Sequence, residues 1–436
     1  MKKLIVTVAL SIVGILCTYA QSPSSKDSLS TNPSTPSTPS ATSSAATTAS
    51  VEKKKNWYEV IKFGGYAHFR YNRLLETNPD LKCDECDKSI GDGGGFFVRR
   101  ARLKFSGQVH ERLFIYIQAD FATAASSGSS VGLNFLQIRD MYGDIYLTKD
   151  KVHRIRPGIS KVPFGFDNIQ SSQNRIAIDR TDALNSAMYN ERDIGVFYYY
   201  TPKKIQERFK FLSDAGLKGS GDYGIFGIGV FNGQTASRNE LNNNMHIVAR
   251  VTYPFLVGEK QIIETSLQAY TGQFNVGEAK ATGTSTATNP GGLNYLDQRV
   301  AASFIMYPQP FGIQAEYMFG TSPTFKYNGP TATVQNEIVS GRNEGGYVQL
   351  MYLQKVKNMV FIPYIRGQYF YGGKKIELDA RRHVVKEIEF GVEYQIIKQL
   401  ELTLAYNMAD RIFEDSKKPD NHQIGNFMRI QIQFNY

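Results

Sequence analysis

The stretch from Asn426 to Tyr436 constrains the fold more than any other. Met428, Ile430, Ile432, Phe434 and Tyr436 share one parity; Phe427, Arg429, Gln431, Gln433 and Asn435 share the other. Side chains alternate across a strand, so this segment is a strand with one apolar face and one mostly polar face. A free end usually frays and buries little. A strand ending on an aromatic makes sense where it closes a sheet on itself, because a closed barrel presents no backbone edge to lipid. The segment therefore reads as a barrel-closing strand.

The same period runs through the chain. Ile61, Phe63, Gly65, Ala67, Phe69 and Tyr71 oppose Lys62, Gly64, Tyr66, His68 and Arg70, and Leu400, Leu402, Leu404, Tyr406 and Met408 oppose Glu401, Thr403, Ala405 and Asn407. Alternation over about ten residues is the length of a tilted membrane-spanning strand. Strands are expected at 61–72, 96–107, 112–121, 134–147, 152–160, 193–200, 223–231, 245–253, 261–271, 297–307, 311–319, 345–353, 360–371, 386–394, 400–408 and 425–436. The fold class is all-β, a transmembrane antiparallel barrel of sixteen strands, an even number as closure requires. Connections after even strands are mostly short, and those after odd strands mostly long, as in barrels with short periplasmic turns and long outer loops. The misfit is 201–222, long where a short turn is due. Extra strand at Phe209 to Ser213 would make eighteen the alternative.

Residues 1–20 have the form of a secretory signal: Lys2 and Lys3, an apolar core from Leu4 to Leu16, and Thr18-Tyr19-Ala20 before Gln21. The apolar core is too short to span a bilayer of about 30 Å. Residues 21–56 are expected to be a disordered linker, since Ser22 to Ser50 is almost entirely Ser, Thr, Pro and Ala and has nothing to bury. Within it, Asp27-Ser28-Leu29 resembles a short O-glycosylation acceptor. The barrel occupies 57–436, with no second linker and no long apolar run. The expected location is the outer membrane of a Gram-negative bacterium, with lipid bilayer and lipopolysaccharide as surroundings and no nucleic-acid partner.

The face opposite the apolar one should line the lumen. Lys62, Arg70, Arg100, Arg102, Lys104, Arg250, Arg299, Arg366 and Arg429 then point inward, with Arg100, Arg102 and Lys104 forming a ladder on one strand. Asp120, Glu264, Glu316, Glu387, Glu389, Glu393 and Glu401 point inward too. Net charge is +10, and +8 once Lys2 and Lys3 leave with the signal, which favours anionic partners or permeants. The first two strands carry bases and no acid, while the fourteenth and fifteenth carry acids. Such walls set up a transverse field that tunes ion selectivity.

Several ordered motifs resemble those of the phosphate-selective porin O and P family. In the long connection 161–192 and the strand after it these are Lys161-Val162-Pro163-Phe164-Gly165, Ser171-Ser172 and Glu191-Arg192-Asp193-Ile194-Gly195-Val196. "FFVRRARLKFSGQV" with "YIQADFA" is similar to the family's second and third strands, and "GVFNGQ" followed by "ARVTYPF" to its seventh and eighth. The resemblance implies a sixteen-stranded homotrimeric porin whose third loop folds into the lumen and narrows it. The anion path then comprises Arg100, Arg102, Lys104, Lys161, Arg175, Arg180 and Arg192, because guanidinium groups bind phosphate bidentately. Small anions such as phosphate are the expected solutes. The acids beside those arginines depart from a purely phosphate-selective pattern.

Cys83 and Cys86 lie in the first outer loop. In an oxidising compartment a short-range disulfide is the expectation, with a metal site the alternative; two thiols without a nearby histidine do not complete a zinc set. No metal or cofactor is expected. The six histidines form no His-Glu-x-x-His run, and no Gly-x-Ser-x-Gly elbow occurs, so the chain is not read as an enzyme. Two other readings remain: an adhesin or scaffold barrel that conducts nothing, and an outer-membrane lipolytic enzyme.

Overall fold

A computed structural model of the chain describes residues 56–81, 95–123, 135–236, 238–277, 286–418 and 421–436. The signal and linker expectations, the Asp27-Ser28-Leu29 acceptor and the Cys83–Cys86 pair lie outside the described residues.

Sixteen antiparallel staves close into a barrel. They are β1 (Lys62–Leu74), β2 (Phe96–His110), β3 (Leu113–Thr123), β4 (Phe135–Tyr146), β5 (His153–Lys161), β6 (Arg192–Tyr200), β7 (Phe226–Phe231), β8 (His246–Val257), β9 (Gln261–Asn275), β10 (Asn294–Met306), β11 (Phe311–Tyr327), β12 (Asn336–Tyr352), β13 (Met359–Gly373), β14 (Arg382–Ile397), β15 (Leu400–Glu414) and β16 (His422–Asn435). The twelfth stave breaks at Leu353 and resumes as Gln354–Val356 before pairing ends.

Closure runs as the alternation requires. β1 pairs antiparallel with β16 from Tyr66 opposite Asn435 to Leu74 opposite Met428. Tyr436 prolongs the ladder: Gly65 N donates to Tyr436 O at 2.7 Å and Tyr436 N to Gly65 O at 3.1 Å. A side chain at Gly65 would meet the Tyr436 ring at 2.6 Å and the Arg102 carbonyl oxygen at 2.1 Å. The ring needs that glycine, and its hydroxyl donates to Arg102 O at 3.0 Å.

Most strands divide their faces in the same way over their central residues. Over Ile362–Phe370 of β13 outward residues are exposed and inward ones buried in strict alternation, and β10 follows the same pattern. The outward set is apolar, and at the periplasmic ends it carries paired rings: Phe63 with Phe105, Phe311 with Tyr352, and Phe361 stacked on Tyr394 at 4.3 Å. Aromatic rings form girdles at the lipid–water boundaries of such barrels.

Two expectations need correction. The eighteen-stranded alternative is excluded, because 203–214 is a helix rather than a strand. The loop expected at 320–344 is mostly a hairpin, since β11 and β12 run on to Tyr327 and from Asn336. Their outer turns carry polar residues on both faces, so no apolar alternation marks them as strand.

Candidate functional site in the lumen

The interior is filled mainly by the connection between β5 and β6, residues 162–191, called loop 3 here. It folds inward, as the family resemblance implied. Two short helices shape it, α1 (Phe166–Ile169) and α2 (Asp182–Ala187). Val162, Phe164, Ala183 and Leu184 are fully buried, clustered with inward Phe197, Val248, Met318 and Phe370 from the β6–β13 arc. Gly165, with φ of 78°, lets the chain bend into α1; a side chain there would strike Leu184.

Polar contacts fix this seat. Glu316 on β11 accepts from Phe166 N at 2.6 Å and Asp167 N at 2.7 Å, with Ser303 and Tyr347 hydroxyls completing its shell. Gln268 accepts from Gly165 N and Gln368 from Asp182 N. Asp167 then staples the loop to itself through Thr181 N and Oγ1. Freed backbone donors buried in a protein interior cost about 1–3 kcal/mol each, which is why one carboxylate takes two of them.

The opposite arc, β14–β16 with β1 and β2, holds loop 3 by charge, joined by Arg366 of the neighbouring β13. Asp179 receives Arg70 at 3.2 Å and Arg429 at 2.5 Å, and Arg366 donates to its carbonyl oxygen at 2.7 Å. Glu389 binds Arg366 at 3.0 Å and Arg429 at 2.9 Å. Asp182 binds Lys374 at 2.6 Å and Arg411 at 3.1 Å, and Arg411 also reaches Glu387. Burial opposes the charged form of Asp182, but Arg411 and Lys374 hold its carboxyl well below the usual carboxylate range. Lys374 and Lys375 belong to the inturned segment 374–381; Lys375 pairs with Asp297 and lies over Phe274.

The seven residues expected on an anion path divide into two groups. Lys161 is almost fully buried, and its ammonium donates to Asn168, Ile169 and Gln170 carbonyls at 3.2, 3.1 and 2.7 Å. Its three donors are spent on the end of α1. Arg180 pairs with Glu191, and Arg192 forks onto Asp140 at 2.9 and 2.8 Å. Arg102 binds Asp120 at 2.7 Å and donates to Tyr66 Oη at 2.8 Å. These four are structural ties.

Arg100, Lys104 and Arg175 differ. None has a carboxylate partner among the described residues. Arg100 meets only His68 Nδ1 at 3.4 Å, His68 being held by Gln433 at 2.6 Å. Its charged neighbours are Arg99, Arg102, Arg70 and Arg175. Arg175 donates to the Ala177 and Ile178 carbonyls at 3.0 and 2.9 Å, leaving Nη1 unsatisfied. Burial and the nearby Arg180 push its guanidinium down to about 10, so it stays charged at neutral pH. Lys104 is half-buried below Arg100 on β2. Lys62 is exposed at the periplasmic rim. The acids of the far wall are engaged, Glu393 and Glu401 with Lys218.

Against known families, residues 78–436 match the model of the phosphate-selective porin O and P family. The chain belongs to that family. No curated protein matches it by sequence. Among solved structures, a Salmonella typhi OmpF complex with daunomycin is 13% identical over 86% of this chain and 97% of that one, TM-score 0.51. A trimer form of OmpT from Vibrio cholerae is 11% identical over 86% and 99%, TM-score 0.50. The outer-membrane channel DcaP of Acinetobacter baumannii is 14% identical over 86% and 97%, TM-score 0.48. At these identities the likeness concerns the fold. Family and fold together make this porin-family protein a channel-forming barrel of the Gram-negative outer membrane.

Sequence reasoning missed the work of Glu316 and Asp179. Glu316 looks like one more lumen acid, and Asp179 like one more charge in the connection 161–192. Only the inturned loop shows that they bind backbone and guanidinium groups rather than face water.

Proposed function

We propose that this protein is a passive diffusion channel for small solutes whose selectivity leans toward anions, phosphate among them. The observation that carries it is the group of Arg100, Lys104 and Arg175, which among the described residues have no carboxylate in salt-bridge contact, beside a loop tied to the wall by ion pairs such as Asp179 with Arg429 and Arg192 with Asp140. A charge compensated by a neighbour projects little field, whereas an uncompensated cation in a narrow, low-dielectric passage attracts anions strongly. A pair of guanidinium groups also suits the oxygens of phosphate.

The supporting assembly is a homotrimer, as in the trimer form of Vibrio cholerae OmpT, in a bilayer with lipopolysaccharide outside. Residues 1–20 direct export and 21–56 link the barrel to the mature amino terminus. The purified protein in planar bilayers should give discrete open-pore steps, and millimolar phosphate should reduce its chloride current. Silence under these conditions would favour the scaffold reading instead. Phosphate-independent chloride current would leave a general pore.

A further inference from the structure

The long connection between β6 and β7 does not behave as a turn. Leaving the wall at Tyr200, the chain forms α3 (Lys203–Asp214). Ile205, Phe209 and Leu212 are buried at helical spacing, one face of that helix. With Leu217 they join a cluster that includes Ile305 and Ile362 of the wall and Phe166 and Ile176 of loop 3. The apolar face of α3 is thus turned into the barrel's periplasmic mouth.

The chain then reaches Lys218, whose ammonium lies 2.5 Å from Glu393 and 3.7 Å from Glu401. Those carboxylates stand near the periplasmic ends of β14 and β15, half-way round the barrel from β6 and β7. Lys218 is 6% exposed and Glu393 2%. A buried lysine is costly unless carboxylates compensate it, so the contact fixes where the segment crosses. Loop 3 meets it from above: Gln170 Nε2 donates to Lys218 O at 2.6 Å and Asn174 Nδ2 to Gly219 O at 3.2 Å.

We propose that residues 201–222 form a strap across the periplasmic mouth that sets the size limit of the passage, latched by Lys218 on Glu393 and Glu401. This rests on reading the protein as an open channel. The inturned loop narrows the lumen from the outer side and the strap from the periplasmic side, and the two are tied where they touch.

The test compares the full chain with three variants in planar bilayers: Lys218→Glu, Lys218→Glu combined with Glu393→Lys, and a chain whose residues 203–222 are replaced by a short Gly-Ser turn. Heat-modifiable migration first confirms that each barrel assembles; should Lys218→Glu fail, the replaced-strap chain supplies the reading. The strap account expects roughly twofold or greater conductance from Lys218→Glu and from the replaced strap, as a constriction is removed. It expects the double variant to return toward the unmodified value. Unaltered conductance in every assembled variant of a conducting protein would overturn the strap while leaving the channel. No conductance from the unmodified chain or any variant would overturn the channel reading, and the strap's role with it.

Discussion

Two arcs of the same barrel hold the same loop by different means. Along β6–β13 loop 3 rests chiefly on apolar inward residues, through Phe164, Leu184 and the backbone donors that Glu316 satisfies, while inward charges of that arc such as Arg250 and Glu264 pair with each other. Along β14–β16 and β1–β2 the inward face is charged, and Asp179 and Asp182 are gripped by arginine and lysine. An apolar seat fixes a loop by area and leaves no field. A charged grip consumes cations that would otherwise act on passing ions. Selectivity is therefore left to the few cations that the grip does not use.

The comparison breaks most visibly at Asp179. Asp179→Ala leaves Arg70 and Arg429 buried without their shared carboxylate, and breaking a buried pair costs about 3–5 kcal/mol. Urea unfolding in detergent should show a correspondingly large fall in midpoint; a shift no greater than that of a surface pair would mean the charged arc does not hold the loop. Glu316→Gln probes the apolar arc. It keeps the shape but sets an amide NH2 against one of the two backbone donors, which bind different oxygens, and removes charge assistance from the other bond, with an expected loss of about 1–3 kcal/mol. Greater sensitivity of loop 3 to added protease should accompany it, and an unchanged cleavage pattern would count against that anchor. Tyr436→Ala removes the ring over Gly65 and the bond to Arg102 O, at the closing seam of the charged arc rather than in its grip on loop 3. It should lower the yield of heat-modifiable barrel, and a normal yield would show that the backbone ladder alone closes the sheet. Lys161→Gln gives the smallest effect on conduction, because its ammonium serves α1: stability should fall while selectivity stays put, as reversal potentials would show.

Much of the fold was legible because lipid imposes a strict rule. Each spanning strand must alternate, so all sixteen staves and the closure of β16 on β1 follow from period-two patterns in residues such as Met428 to Tyr436. The inward direction of Arg100, Arg102 and Glu389 followed from the same parity. Parity says nothing about what an inward charge touches. Arg102 and Arg100 stand two residues apart on one face, yet Asp120 compensates the first and no described carboxylate compensates the second. That difference depends on register between β2 and β3 and on the path of loop 3, which obey no local period. The strap failed to register for a similar reason. Its helix has only three apolar anchors, Ile205, Phe209 and Leu212, and its charged latch partners lie more than 170 residues away in sequence.

The account turns on the division between compensated and uncompensated cations, and reversal potential across a potassium chloride gradient tests it most directly. Three proteins suffice: the unmodified chain, Arg100→Gln with Lys104→Gln, and Arg102→Gln with Asp120→Asn. The first double change removes two cations that no described carboxylate compensates, and should lower the anion-to-cation permeability ratio, most clearly at low salt where screening is weak. The second removes a pair whose charges cancel, and should leave the ratio where it was. A ratio unmoved by loss of Arg100 and Lys104, or moved equally by both changes, would contradict the account.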